Sequence, residues 1–181
     1  MKHINIILIL FMFTGVTNML NAQSKMADET FCNTLLKIIA SGSDQFRSIQ
    51  GDSINFDTGY PFELLDHSMP AYQSVLLLPG SMHTYIQRYP TETYFESTLF
   101  MDTLGFTDDF YEKLYYRSDG IKTCLGSAWK MSENIPDIHI GSIRETRFTS
   151  DTSPIVINLH NATRYHNGRY YVILLVLSLI H

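Results

Sequence analysis

Cysteine is scarce in this chain, since only Cys32 and Cys124 occur among 181 residues. Two thiols exclude a disulfide-dense small scaffold, and the lack of a C-x-x-C pair removes the usual spacing of a structural zinc site. The sequence also lacks a glycine-rich phosphate loop, a G-x-S-x-G elbow and an H-x-x-x-H pair. We therefore assign no catalytic residue, metal or cofactor, and whether the protein is an enzyme stays open, with a non-catalytic role favoured.

Basic residues are also few, with 13 Lys and Arg against 18 Asp and Glu. The resulting net charge is −5 with neutral histidine. A nucleic-acid-binding protein needs a basic patch that follows the phosphates. We therefore expect no nucleic-acid partner.

Long apolar runs are limited to the two ends of the chain. Lys2 precedes a mainly apolar stretch over residues 4–13, and small and polar residues follow around Asn21 and Ala22. This order is typical of a secretory signal peptide, with cleavage after Ala22. The stretch is short for a spanning helix, which needs about 20 apolar residues. A lipoprotein would carry its cysteine at the cleavage point, and Cys32 lies further along.

The prediction is therefore export to the periplasm or the outside of the cell. Residues 1–22 form the signal peptide and residues 23–181 form one globular domain. Removal of residues 1–22 takes one of the 13 basic residues and none of the 18 acidic ones, so the mature net charge is about −6. No membrane span is expected after cleavage. The alternative is an uncleaved N-terminal anchor.

Two segments have the periodicity of amphipathic helices. The first, "FCNTLLKIIASG", repeats apolar residues at Phe31, Leu35, Ile38 and Ile39, and Gly42 follows as a stop. The second runs from Phe106 to Gly126, with Thr107 as the expected N-cap and an interior Gly120 that favours a kink or a division. Its apolar stripe consists of Phe110, Leu114, Ile121 and Leu125.

The remaining segments predict strands. We expect one over Gln45–Ile54, a loop over residues 57–72, and alternating strands over residues 72–90 and 93–101, with Pro79-Gly80 marking a bulge or break. Further strands are expected over residues 127–134 and 139–148. Asn167-Gly168 predicts a hairpin turn. The run Tyr170–Ile180 would span only about 17 Å as a helix, so we interpret it as a central buried strand rather than a membrane helix.

This order of elements predicts an α+β fold. An antiparallel sheet with two helices packed on one face is the simplest arrangement that buries both helical stripes. Each half offers one helix and about three strands, which suggests a duplicated helix-plus-three-strand unit.

The two cysteines lie at opposite ends of the predicted helices, Cys32 near the start of the first and Cys124 near the end of the second. Helices packed antiparallel would bring these ends together, and an even cysteine count in an oxidising compartment favours a disulfide. The alternative is a pair of separate buried thiols.

The segments "FCNTLLKIIASGSDQFRSIQGD" and "YYRSDGIKTCLGSAW" resemble small exported proteins of unknown function from Bacteroidota-type bacteria. In those proteins a Cys-x-x-Leu helix and a later Lys-x-Cys-Leu helix end recur, and the signal peptide ending in Asn-Ala-Gln is similar. The resemblance implies secretion and paired cysteines. It implies no activity and no catalytic residue.

Two groups of side chains remain as candidate sites. Clustered tyrosines at Tyr85, Tyr89 and Tyr94 suggest a face that binds a partner or a sugar, although tyrosine is also a common strand residue. His83, His139 and His160, together with strand carboxylates, would have to assemble in space to form a hydrolytic site.

We therefore expect an exported, non-catalytic binding or accessory module of the cell envelope, with a protein or envelope ligand as its partner. The alternatives are a secreted hydrolase and a secreted inhibitor or immunity-type protein whose acidic surface occludes a basic partner.

Overall fold

The computed structural model describes residues 29–55, 66, 68–102, 108–134, 145–166 and 169–179. Helix α1 covers residues 29–41 and helix α2 covers Asp108–Leu125. The first half of the sheet contains β1 (Gln50–Ser53), β2 (Ala71–Ser74), β3 (His83–Arg88) and β4 (Glu92–Asp102). The second half contains β5 (Lys130–Asn134), β6 (Glu145–Ser150), β7 (Ser153–His166) and β8 (Arg169–Leu179).

All eight strands form one antiparallel sheet in the order β1-β2-β3-β4-β8-β7-β6-β5. Strands β4 and β8 pair at its centre and join the two halves of the chain. The predicted α+β fold is therefore confirmed.

Both helices pack on the same face of this sheet, which we call the inner face. One row of paired residues crosses this face from β3 to β6: Ile86, Phe95, Val176, Ile157 and Phe148. Because side chains alternate along a strand, these residues point to the same side. They form one buried cluster with Leu35 and Ile38 of α1 and with Ile121 and Leu125 of α2.

The predicted stripe of α1 is confirmed, since Phe31, Leu35 and Ile38 are buried and Ile39 packs against the same cluster. In α2, Ile121 and Leu125 are buried as predicted, whereas the side chains of Phe110 and Leu114 are outside the described part. Thr107, the expected N-cap, also lies outside the described residues. Gly120 does not divide α2, which runs unbroken to Leu125.

The predicted strand over Gln45–Ile54 is wrong in its first half. Gln45 and Phe46 adopt left-handed backbone angles, with φ of 59° and 61°, and a short 3₁₀ turn follows over Arg47–Ile49. The Phe46 side chain is fully buried in the core. Anchoring this ring offsets a backbone conformation that L-residues normally avoid. Only the Gln50–Ser53 segment extends as a strand.

The segment 72–90 contains two strands rather than one. An irregular connection separates β2 from β3, and its turn includes Gly80 at φ 79° together with a Ser81 N–H to Leu78 oxygen bond of 2.9 Å. The break predicted at Pro79-Gly80 is therefore real. Most of the loop expected over residues 57–72 lies outside the described residues, and its last two residues belong to β2.

The C-terminal hairpin is confirmed by the pairing of β7 with β8, which continues to His166 opposite Arg169. Its Asn167-Gly168 turn lies outside the described residues. Strand β8 contains most of the apolar run Tyr170–Ile180 and lies between β4 and β7, as expected for a central strand. No helix in the described part of the chain is long and apolar enough to span a membrane.

Within the described residues, each half of the chain has one helix followed by four strands, rather than the three that were expected. In the first half the additional strand is β2, a four-residue segment that the sequence pattern merges with β3. The expected helix-plus-three-strand unit is therefore not confirmed.

Cys32 and Cys124 form a disulfide, with their Cα atoms 5.0 Å apart. The bridge ties the start of α1 to the end of α2 and closes a sequence separation of 92 residues. The chain-entropy model gives a stabilisation on the order of 4 kcal/mol for a loop of this length. The bridge predicted from the two cysteines is present in the structure.

Candidate functional site

The face of the sheet opposite the helices, here called the outer face, carries the tyrosine cluster. Tyr85 and Gln87 of β3 pair with Glu96 and Tyr94 of β4, and all four alternate with the inner-face residues Ile86 and Phe95. The sheet therefore brings the predicted aromatic residues to one side.

Tyr85 is the least accessible of the three tyrosines. Its side chain is 2% exposed and packs with Ala71, and Ile54 lies against this pair. Its hydroxyl donates a hydrogen bond to the Glu96 carboxylate. Because its ring is buried, Tyr85 is not accessible to a binding partner.

Tyr89 and Tyr94, in contrast, remain partly exposed at the end of the β3–β4 hairpin. Their rings meet edge to face, with centroids 5.2 Å apart. The Tyr94 hydroxyl donates to the carboxylate of Glu92. We call these three residues, Tyr89, Glu92 and Tyr94, the tyrosine patch.

Tyr89 is also held in place by a hydrogen bond to Gln87. Its hydroxyl donates to the Gln87 side-chain oxygen at 3.0 Å, and the Gln87 amide nitrogen donates to the backbone oxygen of Asp66 at 2.7 Å. Gln87 is only 5% exposed. The network therefore fixes the rotamers of both patch tyrosines before any partner arrives.

The same surroundings change the acidity of Tyr94. Burial raises the pKa of the Tyr94 hydroxyl well above its usual value, and the hydrogen bond to Glu92 and the charge of that carboxylate raise the pKa further. Tyr94 therefore stays a neutral hydrogen-bond donor across the physiological pH range.

The candidate hydrolytic residues are not brought together. His83 pairs with Thr98, and His160 pairs with Ile173, so strands β4 and β8 separate the two histidines. Three strand spacings amount to about 14 Å, far beyond hydrogen-bond reach. His139 lies outside the described residues.

Carboxylates do not complete such a site either. Glu92 and Glu96 are four residues apart on one strand, a separation of about 13 Å between their Cα atoms. Each accepts a hydrogen bond from a tyrosine. No group of three or more His, Cys, Asp and Glu residues able to hold a metal ion occurs within the ranges that the structure describes.

A second feature lies on the opposite side of the sheet. Arg47, Gln50 and Arg88 line an open cleft of about 400 Å³ beside the first strands. Arg47 belongs to the 3₁₀ turn, Gln50 begins β1 and Arg88 ends β3. This cleft is not visible in the sequence, because Arg88 is far from Arg47 and Gln50 along the chain and meets them only through the β1-β2-β3 order.

The chain matches no family model, no curated protein and no solved structure. The resemblance to exported bacterial proteins therefore stays a prediction. Of the predicted binding tyrosines, Tyr89 and Tyr94 form a partly exposed pair, whereas Tyr85 lies on the outer face but is buried.

Proposed function

We propose that this protein is an exported, non-catalytic binding module of the bacterial envelope or extracellular space. Its tyrosine patch docks a protein partner through basic side chains of that partner. The observation that carries the proposal is the preorganised pair Tyr89 and Tyr94 beside the Glu92 carboxylate.

Preorganisation makes this patch suited to binding. A free side chain loses about 0.5–1.5 kcal/mol of conformational freedom when an interface immobilises it. Tyr89 and Tyr94 are already restrained by the hydrogen bonds to Gln87 and Glu92. Tyrosine is enriched among the residues that dominate interface energies, because it buries a large ring and keeps a polar end.

The charge of the patch selects the partner. Glu92 accepts one hydrogen bond from Tyr94, so its carboxylate lies beside the pair of aromatic rings. A lysine or arginine can pair with the carboxylate while its cation lies against a tyrosine face. The chain as a whole is acidic, with a net charge of −5, which attracts a basic partner over longer distances.

Export is supported by two independent features of the chain. The signal-peptide pattern over residues 1–22 precedes the domain. Downstream, Cys32 and Cys124 are joined in a disulfide, a bond that persists in oxidising compartments and is rare in the bacterial cytosol.

Site-specific photocrosslinking tests the docking surface. A photoreactive amino acid replaces Thr91, which is exposed between the two patch tyrosines, and a matched control replaces Ser127, which is exposed in the turn after α2. We expect one protein with a basic surface to crosslink at position 91 in envelope extracts and not at position 127. Added salt should weaken this capture.

Variants then link the captured protein to the patch. Tyr89→Ala should lower its affinity by about 30-fold if Tyr89 contributes at least about 2 kcal/mol, as central interface tyrosines do. Equal crosslinking at both positions, no crosslinking at position 91, or an affinity unchanged by Tyr89→Ala would contradict the proposal.

An inhibitor or immunity role is the form of this proposal in which the basic partner is itself an enzyme or toxin. The acidic tyrosine patch favours it, because an occluding surface must match the charge of the site that it covers. Loss of the captured protein's activity on addition of the purified chain distinguishes this role from simple attachment.

A further inference from the structure

We propose that the cleft lined by Arg47, Gln50 and Arg88 binds an oxyanion, such as the phosphate or carboxylate group of a ligand. This inference goes beyond the proposed function and does not depend on it. The cleft lies on the helix side of the sheet, because Arg88 alternates with Gln87 of the outer face.

The Arg88 side chain is positioned by two neighbouring strands. Strand β2 lies between β3 and β1, and its Tyr72 ring lies beneath the Arg88 guanidinium at 5.7 Å from the ring centroid. Beyond Tyr72, Arg88 Nη2 donates to the Gln50 side-chain oxygen at 2.6 Å. The guanidinium is therefore held across β2 by a cation–π contact and a hydrogen bond.

Arg47 lines the same cleft because the two preceding residues adopt left-handed backbone angles. Phe46 and Ile49 on either side are buried at 0% and 7% exposure, whereas Arg47 is exposed. The left-handed residues Gln45 and Phe46 set the direction of this turn. Burial of the two apolar side chains thus leaves the exposed Arg47 as part of the cleft lining.

Neither guanidinium of the cleft forms an ion pair with another described residue. Gln50 is uncharged, so its bond to Arg88 leaves the full charge of the guanidinium in place. No carboxylate in the described part of the chain lies within 4.0 Å of either guanidinium. The nearby Asp44 carboxylate accepts the Ser48 backbone N–H at 3.0 Å instead.

The donor set defines the ligand. Two guanidiniums and a side-chain amide offer N–H donors, and guanidinium groups match the paired oxygens of phosphates and carboxylates. An anion between Arg47 and Arg88 would also relieve the repulsion between their like charges. The cleft volume of about 400 Å³ leaves room for a group that belongs to a larger molecule.

Titration of the disulfide-bonded protein with inorganic phosphate, followed by amide NMR at constant ionic strength, tests this proposal. We expect saturable shifts of the amides of Ser48 and Gly51, which flank the cleft residues. Parallel titrations with sulfate and acetate identify which oxyanion binds most tightly. Absence of saturable binding for all three anions would overturn the proposal.

Variants assign the binding to the cleft. Arg47→Gln and Arg88→Gln should each weaken binding of the preferred anion by at least about tenfold, the usual cost of losing a charged hydrogen bond. Arg147→Gln, which removes an exposed arginine from β6, is the matched control and should leave the affinity unchanged. If Arg88→Gln fails to fold, Arg47→Gln provides the test, because Arg47 is exposed and its replacement should leave the fold intact. Binding that survives Arg47→Gln would overturn the assignment.

Discussion

At the scale of single residues, Tyr94 links structure to a measurable property. Its burial and its bond to Glu92 raise the pKa of the hydroxyl in the folded protein. In the unfolded chain a tyrosine ionises near pH 10. The folded state therefore holds this proton more tightly, so the associated stability is fully present below about pH 10 and is lost as the pH rises further.

Spectrophotometric titration at alkaline pH measures this effect. The wild-type protein should have a tyrosine that stays protonated above pH 10, and the Tyr94→Phe variant should have one fewer such late-titrating tyrosine than the wild type. Glu92→Gln, which deletes the negative charge, should lower the pKa of Tyr94. Ionisation of Tyr94 near pH 10 in the folded wild type would show that the patch is not restrained as described.

Some residues of the two sites could be predicted from the sequence, and others could not. The tyrosine cluster is visible in the sequence because its members lie within one hairpin. The partners that fix it are not, since Gln87 contacts Asp66 only after β3 is in place. The arginine cleft could not be predicted for the same reason. Arg88 contacts Gln50 across strand β2, and the sequence pattern does not reveal the position of that strand.

At the scale of elements, a glycine within α2 and the glycine directly after this helix provide a matched pair of predictions. Gly120 lies within the helix, and an added Cβ would meet nothing within 4 Å. Gly120→Ala should therefore stabilise the protein by about 0.5–1 kcal/mol, since glycine weakens a helix interior.

Gly126 shares the residue type but has the opposite role. It follows the last residue of α2 with φ of 69°, and its N–H bonds to the Lys122 oxygen at 3.0 Å. Gly126→Ala should destabilise by about 1 kcal/mol or more, because this left-handed helix end suits glycine. Denaturant unfolding of both variants checks the pair, and equal effects would contradict the description of this helix end.

The helices and strands with a clear periodicity of apolar residues were predictable from the sequence. The elements that were predicted wrongly have physical causes. The stripe of α1 and the β7–β8 hairpin follow from local patterns that agree with the final packing. The first half of the strand predicted over Gln45–Ile54 is wrong because a buried Phe46 ring holds a left-handed turn there. Strand β2 was merged with β3, since a four-residue strand is too short to show its own alternation.

At the scale of the whole molecule, one sheet and one disulfide join the two halves of the chain. Strands β4 and β8 pair along most of their length at the centre of the sheet. On the helix side, the Cys32–Cys124 bridge ties α1 to α2. The tyrosine patch and the arginine cleft lie on opposite faces of this frame, so they can act independently.

The decisive experiment is non-reducing peptide mapping of the native protein recovered from the cell envelope and the culture medium of the organism that produces it. An exported, disulfide-tied module should yield a chain that begins at Gln23 and a linked peptide pair containing Cys32 and Cys124. Recovery of the protein from the cytosol, with its N-terminal 22 residues intact and both cysteines as free thiols, would contradict it.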